Sequence, residues 1–199
     1  MTKRQIAGSR AIVTGASSGI GRELALQLAA AGGNVIVTAR REERLQELVR
    51  EIEALGRLAF FLAGDITRAD LRAELLALAD ERLGGLDILI NNAGIGAVGN
   101  FADADEQRLR KVMEVNFFAP LEMIRAALPT LQQSDRPIIV NIGSVLGHFA
   151  MPGKSEYCAS KFAMHGFSDA LRAELAADGI DVLLVSPSTT DSEFFDNVI

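Results

Sequence analysis

A chain of 199 residues that is 49% hydrophobic can bury one full core, and its net charge of −6 disfavours the phosphate backbone of a nucleic acid as a partner. The single cysteine, Cys158, excludes an internal disulfide and fits a reducing compartment. The opening run MTKRQIAGSR has no apolar stretch behind its cations, and no segment reaches the roughly 18 apolar residues of a membrane span, so the expectation is a soluble cytoplasmic protein folded as one domain over residues 1–199.

Residues 10–14 (RAIVT) read as a strand that stops at a glycine-rich turn. An alanine-rich helix follows over 20–31 and is closed by Gly32 and Gly33. Strand 34–38 leads to helix 42–55, strand 58–62 to a helix over 67–83 started by Thr67, and residues 87–91 form a fourth strand. Asp105 can cap a long helical region reaching about residue 133, which Pro120 and Pro129 should bend or split. A fifth strand (137–142), a long helix (155–178) and a sixth strand (181–186) complete the alternation. The strands are apolar throughout, as strands covered on both faces should be. Six strands separated by helices imply right-handed βαβ units in one parallel, doubly wound sheet, a three-layer α/β/α, Rossmann-like architecture.

In such sheets ligands sit at the carboxyl ends of the strands, and the unusual residues fall there. After the first strand comes Thr14-Gly15-Ala16-Ser17-Ser18-Gly19-Ile20-Gly21, small residues that turn tightly into a helix N-terminus and present amide groups to a phosphate. The spacing differs from G-x-G-x-x-G, and a plain tight turn is the competing reading. At the end of the second strand, where an Asp or Glu would meet a ribose, stand Arg40 and Arg41. A guanidinium there suits a 2′-phosphate, with Ser17 or Ser18 adding a hydroxyl, although the arginines can also pair with Glu42, Glu43 or Glu47. Asp65, beside Ile66, can bond an adenine or cap the next helix. Asn91-Asn92-Ala93-Gly94 lets the chain pass close to a ribose or serves as a structural turn.

Tyr157 and Lys161 stand four residues apart on one helix face. A phenol of pKa about 10 must drop by roughly 2–3 units, about 3–4 kcal/mol, to trade protons near neutral pH. An ammonium about 4 Å away at an effective dielectric near 20 supplies about 4 kcal/mol. Taken alone, such a pair is usually an ordinary solvated one.

With these motifs in order, the chain resembles the short-chain dehydrogenase/reductase family. The resemblance rests on Thr14 to Gly21, Asn91 to Gly94, Asn116, Ser144, and Tyr157 with Lys161. It implies that Tyr157 is the general acid/base, and that Lys161 lowers its pKa and holds the nicotinamide ribose. Ser144 would bond the substrate carbonyl, and Asn116 would hold a helix kink and a water of a proton relay. It also implies that Gly15, Ser17, Ser18, Gly19, Ile20, Gly21, Arg40, Asp65, Ile66, Asn92, Ala93, Gly94, Pro187, Thr190 and Ser192 line an NADP(H) site. After the sixth strand the family's Pro-Gly reads Pro187-Ser188 here, and Ser192 takes the place of a cofactor-binding threonine. Relatives generally continue past this point with substrate-covering helices and a last strand.

The implied activity is hydride transfer between NADP(H) and a carbonyl or secondary alcohol. The alternative is a non-catalytic NADP(H)-binding regulator or redox sensor. The substrate pocket would be built from loops 95–102 and 145–156 and the region after Pro187. His148 lies in a loop that could roof the substrate, and His165 reads as a packing or neutral hydrogen-bonding residue. Cys158 should fill a small space, no metal cluster is legible, and outer apolar residues Phe117, Phe118, Phe162, Met164 and Phe167 could pair copies of the chain as a homodimer or homotetramer.

Overall fold

A computed structural model of the chain describes residues 5–188, 190, 193–194 and 198–199. Six parallel strands, β1 (Arg10–Thr14), β2 (Asn34–Ala39), β3 (Ala59–Ala63), β4 (Ile88–Asn91), β5 (Ile138–Ile142) and β6 (Asp181–Val185), form one sheet in the order β3-β2-β1-β4-β5-β6. The expected doubly wound α/β fold is the fold observed.

Alternation along the central strands divides the core into two layers. Ala11 and Val13 face one side with Val35 and Val37, and there meet Ala25 and Ala29 of α1 (Gly19–Ala30) and Leu45, Leu48 and Ile52 of α2 (Glu42–Ala54). Ile12 and Ile36 face the other side. They meet Leu75 of α3 (Ala69–Leu83), Met123 and Leu131 of α5 (Ala119–Leu131), and Leu171 of α6 (Ser155–Glu174). Burial on both faces explains the continuous apolar runs of β1, β2 and β4. The edge strand β6 departs from that expectation, with Leu183 47% exposed on one face while Val182 is buried.

Two boundaries differ from the sequence reading. Helix α3 starts at Ala69 because one oxygen of Asp65 captures the Thr67 amide at 3.0 Å and its hydroxyl at 2.9 Å. The long region after Asp105, whose carboxylate caps the Arg108 amide at 2.8 Å, divides around Asn116, one turn ahead of Pro120, while Pro129 leaves it unbroken. Helix α4 (Glu106–Met113) opens into a wide π-turn over Glu114–Phe118 before α5. Pro120 has no N–H to serve the Asn116 carbonyl, so the ladder widens one turn before the ring. Pro129 lies inside α5, which runs on to Leu131.

Candidate active site

The sheet order reverses between β1 and β4, and there the carboxyl ends of the strands open into a cleft of about 680 Å³. Its lining includes Gly15, Ser17, Ser18, Gly19 and Ile20 from the first turn, and Arg40, Asp65, Ile66, Asn92, Ala93 and Gly94 from the next three strand ends. Ser144, Tyr157, Lys161, Pro187 and Thr190 complete it on the far side. Gly21 and Asn116 stand behind this wall and support it. Ser192 lies outside the described residues.

The first turn is held by Asn92. Its amide donates to the carbonyls of Thr14 at 2.9 Å and Gly15 at 3.1 Å, while Thr14 Oγ1 accepts from the Asn92 and Ala93 amides at 3.0 Å each. Asn92 therefore ties β4 to the turn. Gly15 has φ +67°, and a Cβ on it would fall 2.7 Å from Ala93 Cα. At Gly21 a Cβ would fall 2.3 Å from Asn92 Nδ2. The backbone is thus packed against its neighbour to the limit, leaving the amide end of α1 facing the cleft. Gly15→Ala is expected to cost about 2–5 kcal/mol, from about 1–2 for left-handed backbone and about 1–3 for overlap. Urea denaturation reads that loss directly.

Of the two arginines at this corner, Arg41 is the one that reaches the serines. Its guanidinium donates to Ser17 Oγ at 3.0 and 3.1 Å, to Ser18 Oγ at 2.7 Å and to Glu193 at 2.8 Å. Arg44 joins Glu193 at 2.6 Å, and these two guanidinium groups, Arg44 foremost, hold the Glu193 carboxyl below its usual range. None of the arginines takes Glu42, Glu43 or Glu47 as a partner among the described contacts. Arg40 is exposed on the cleft rim.

The second cluster centres on α6. Tyr157 and Lys161 face the cleft together, with Lys161 Nζ 5.6 Å from the phenol ring centre. Lys161 Nζ donates to the Ile142 carbonyl at 3.0 Å. Burial lowers the Lys161 pKa to about 8. Burial likewise pushes the Tyr157 phenol above its ordinary value, and a hydrogen bond from Ser144 pulls part of it back. This corrects the electrostatic expectation. The ammonium lies on the right face but turns to a β5 carbonyl, and desolvation dominates the phenol.

Asn116, from the π-turn, bonds both backbone groups of Ile95, accepting from its amide at 2.8 Å and donating to its carbonyl at 2.9 Å. It also donates to Ser160 Oγ at 3.0 Å, and Ser160 donates to the Tyr157 carbonyl at 2.7 Å. Thus the kink connects the loop after β4 to the turn that carries Tyr157. Ser144 accepts from the Leu146 amide at 3.1 Å, which fixes the short turn that presents its hydroxyl.

Sequence reasoning missed the ion pair next to Tyr157. Glu156 is 3% exposed and bonds Arg108 of α4 at 2.7 Å. Burial alone would raise that carboxyl, but hydrogen bonds from Arg108, the backbone and Ser155 outweigh it and hold it low. The partners are 48 residues apart, and no local pattern announces them.

Two further expectations are revised. His148 does not line the cleft; it bonds Ser186 Oγ at 2.9 Å and meets the His165 ring edge-on, with ring centres 4.3 Å apart. Met164 is core, and Phe117 and Phe167 are half-buried, so only Phe118 and Phe162 of the named set are exposed. His165 does serve hydrogen bonding, through the Gly147 carbonyl at 3.3 Å, and Cys158 is buried as filler. Among the described residues no helix is long and apolar enough to cross a membrane, and no group of three or more His, Cys, Asp or Glu could hold a metal ion.

A cleft at a strand-order reversal, lined by a Ser–Tyr–Lys cluster, defines a doubly wound α/β protein with its candidate site at the carboxyl ends of the strands. The family model described as short chain dehydrogenase matches residues 9–199. A short chain dehydrogenase of Pseudocercospora fijiensis is 39% identical over 191 residues, 95% of this chain and 62% of that protein. Dehydrogenase/reductase SDR family member 7B of Xenopus laevis is 38% identical over 186 residues, 88% of this chain and 56% of that protein. A crystal structure of a short chain dehydrogenase/reductase from Burkholderia phymatum in complex with NAD superposes with a TM-score of 0.94 at 27% identity. That match covers 98% of this chain and 70% of the other. The chain belongs to the short-chain dehydrogenase family. It spans about three fifths of the length of the first two relatives.

Proposed function

We propose that this chain transfers a hydride between NADP(H) and a carbonyl or secondary alcohol, with Tyr157 as general acid in reduction and general base in oxidation. The observation that carries the reading is Tyr157, hydrogen-bonded to Ser144 and sharing a cleft wall with Lys161. A nicotinamide, when bound, supplies the hydride chemistry. The cleft fits such a cofactor. The tight Gly15 turn and the α1 N-terminus suit a pyrophosphate, and Gly94 leaves open backbone beside Lys161 for a ribose. In reduction, negative charge grows on the substrate oxygen, where Ser144 and Tyr157 offer two hydroxyl donors. Tyr157 then gives up its proton, and a charged Lys161 stabilises the phenolate. Asn116 positions the Tyr157 turn through Ser160, and the family resemblance gives it the further role of holding a water that leads from Lys161.

The preference for NADP(H) is supported by Arg40 and Arg41 at the end of β2, where the strand itself ends in Ala39 and supplies no carboxylate. Glu193 shares Arg41, so a 2′-phosphate would compete with it. Arg41→Ala is expected to weaken NADPH at least tenfold more than NADH, read by titration with each cofactor; equal weakening would remove Arg41 from phosphate recognition. Absorbance-monitored NADPH oxidation against ketones, aldehydes and quinones tests the reaction itself. Binding without turnover on any of them would instead support a dinucleotide-binding regulator. The single cysteine supports a reducing, cytoplasmic setting, and exposed Phe118 and Phe162 support a homodimer or homotetramer.

A further inference from the structure

From the cleft wall opposite the arginines, we infer that the substrate carbonyl is carried on a long, uncharged, apolar body. This inference deepens the proposed reaction and rests on it for the position of the carbonyl.

Two loop stretches flank the Ser144–Tyr157 pair. The first follows β4 and contributes residues 95–98 to the cleft; the second follows Ser144 and contributes residues 145, 146, 149 and 151. Every side chain beyond hydrogen on those positions is a hydrocarbon or a thioether. The two stretches are joined by the Gly99 amide, which donates to the Gly153 carbonyl at 2.9 Å, so they act as one wall. The large side chains on that wall are not packed away. Val98 is 47% exposed, Phe149 52% and Met151 43%, on a chain whose other large apolar groups mostly fill the core. Apolar surface clustered beside reactive hydroxyls gains by removal from water, and a ligand can supply that removal.

The polar inventory points the same way. Against these two stretches a sugar or polyol would find no side-chain partner for its hydroxyls, and each unpaired group would weaken binding, while Lys111 and Glu114 line the same cleft from α4 and the π-turn. Beside these stretches the carbonyl oxygen finds its donors at Ser144 and Tyr157. The chain itself shows what the space beside the phenol accepts: the ring of Phe194 lies 5.9 Å from the ring of Tyr157. Lys111 and Lys154 also line the cleft, and a substrate carboxylate read by either of them is the competing outcome of the test.

The experiment is a homologous series, from butanone to 2-decanone, with 9-oxodecanoate as the charged control. With NADPH, kcat/KM is expected to rise about threefold to fourfold per methylene over the first several carbons. Phe149→Ser and Met151→Ser should lower kcat/KM for 2-decanone at least tenfold more than for butanone. Saturation-transfer NMR of the same ketones, with and without NADPH, reads binding independently of turnover. A flat series, a preference for 9-oxodecanoate, or unchanged length dependence in both variants would overturn the inference. Binding of 2-decanone that persists where NADPH fails to bind would leave the apolar site standing and sink the oxidoreductase reading instead.

Discussion

Tyr157→Phe should reduce turnover about 10²–10⁴-fold, the usual contribution of a positioned acid or base, while NADPH binding changes by less than about threefold. The substitution removes one oxygen from a ring whose carbon face already packs in the cleft, so the fold has no reason to change. What disappears is the proton that must reach the substrate oxygen, together with one of the two donors to its developing charge. The split between kcat and cofactor affinity is the diagnostic. Steady-state rates with stopped-flow or calorimetric NADPH binding measure both. A variant that retains more than a tenth of wild-type turnover would show that another group delivers the proton.

The second large effect concerns Lys161 and has a definite sign. Its pKa is lowered by burial to about 8, whereas Tyr157 is raised above its ordinary value. Carbonyl reduction needs the phenol protonated and the lysine charged. Below about pH 8 both conditions hold; above it the ammonium is lost first. For NADPH, kcat/KM reports the cofactor-free enzyme, so it should be flat on the acid side and fall tenfold per unit above about pH 8. Lys161→Arg keeps the charge at every accessible pH and should abolish that limb. Lys161→Met should lower the rate throughout and leave no limb at this position. An unchanged limb in Lys161→Met would assign it to a different group.

Stability carries the opposite dependence. A folded pKa depressed from 10.5 to about 8 means that the unfolded chain binds more protons between those values, so stability rises with pH across that window. The shift corresponds to about 3 kcal/mol, which a comparison of urea denaturation at pH 7 and pH 10 with Lys161→Met would isolate.

The burial of Lys161 also shows where sequence-based reasoning reaches its limit. The four-residue spacing puts phenol and ammonium on one helix face, and that much is local geometry. Their mutual influence depends on which oxygen the ammonium reaches and how much water remains, and both are supplied by β5 and by the turn after Ser144. The spacing argument therefore placed the pair correctly and misjudged the force acting on the phenol. Arg41 teaches the same lesson. It stood beside Arg40 in the sequence, but only the packing of α2 against the first turn selects it to bridge Ser17 and Ser18.

What the amino-acid order alone decided is the alternation of elements, because hydrophobic period, glycine stops and helix lengths are properties of neighbouring residues. It also determined that Gly15, Ser144, Tyr157 and Lys161 fall at strand ends or on one helix face, where a parallel sheet collects ligands. The tertiary structure decided the rest. The Arg108–Glu156 pair, the Asn92 clasp on the first turn, the ring of Phe194 against Tyr157 and the apolar wall of Val98, Phe149 and Met151 all join segments far apart along the chain. Such contacts arise only when the sheet closes, because burial and hydrogen bonding depend on distance in space and not on spacing in sequence.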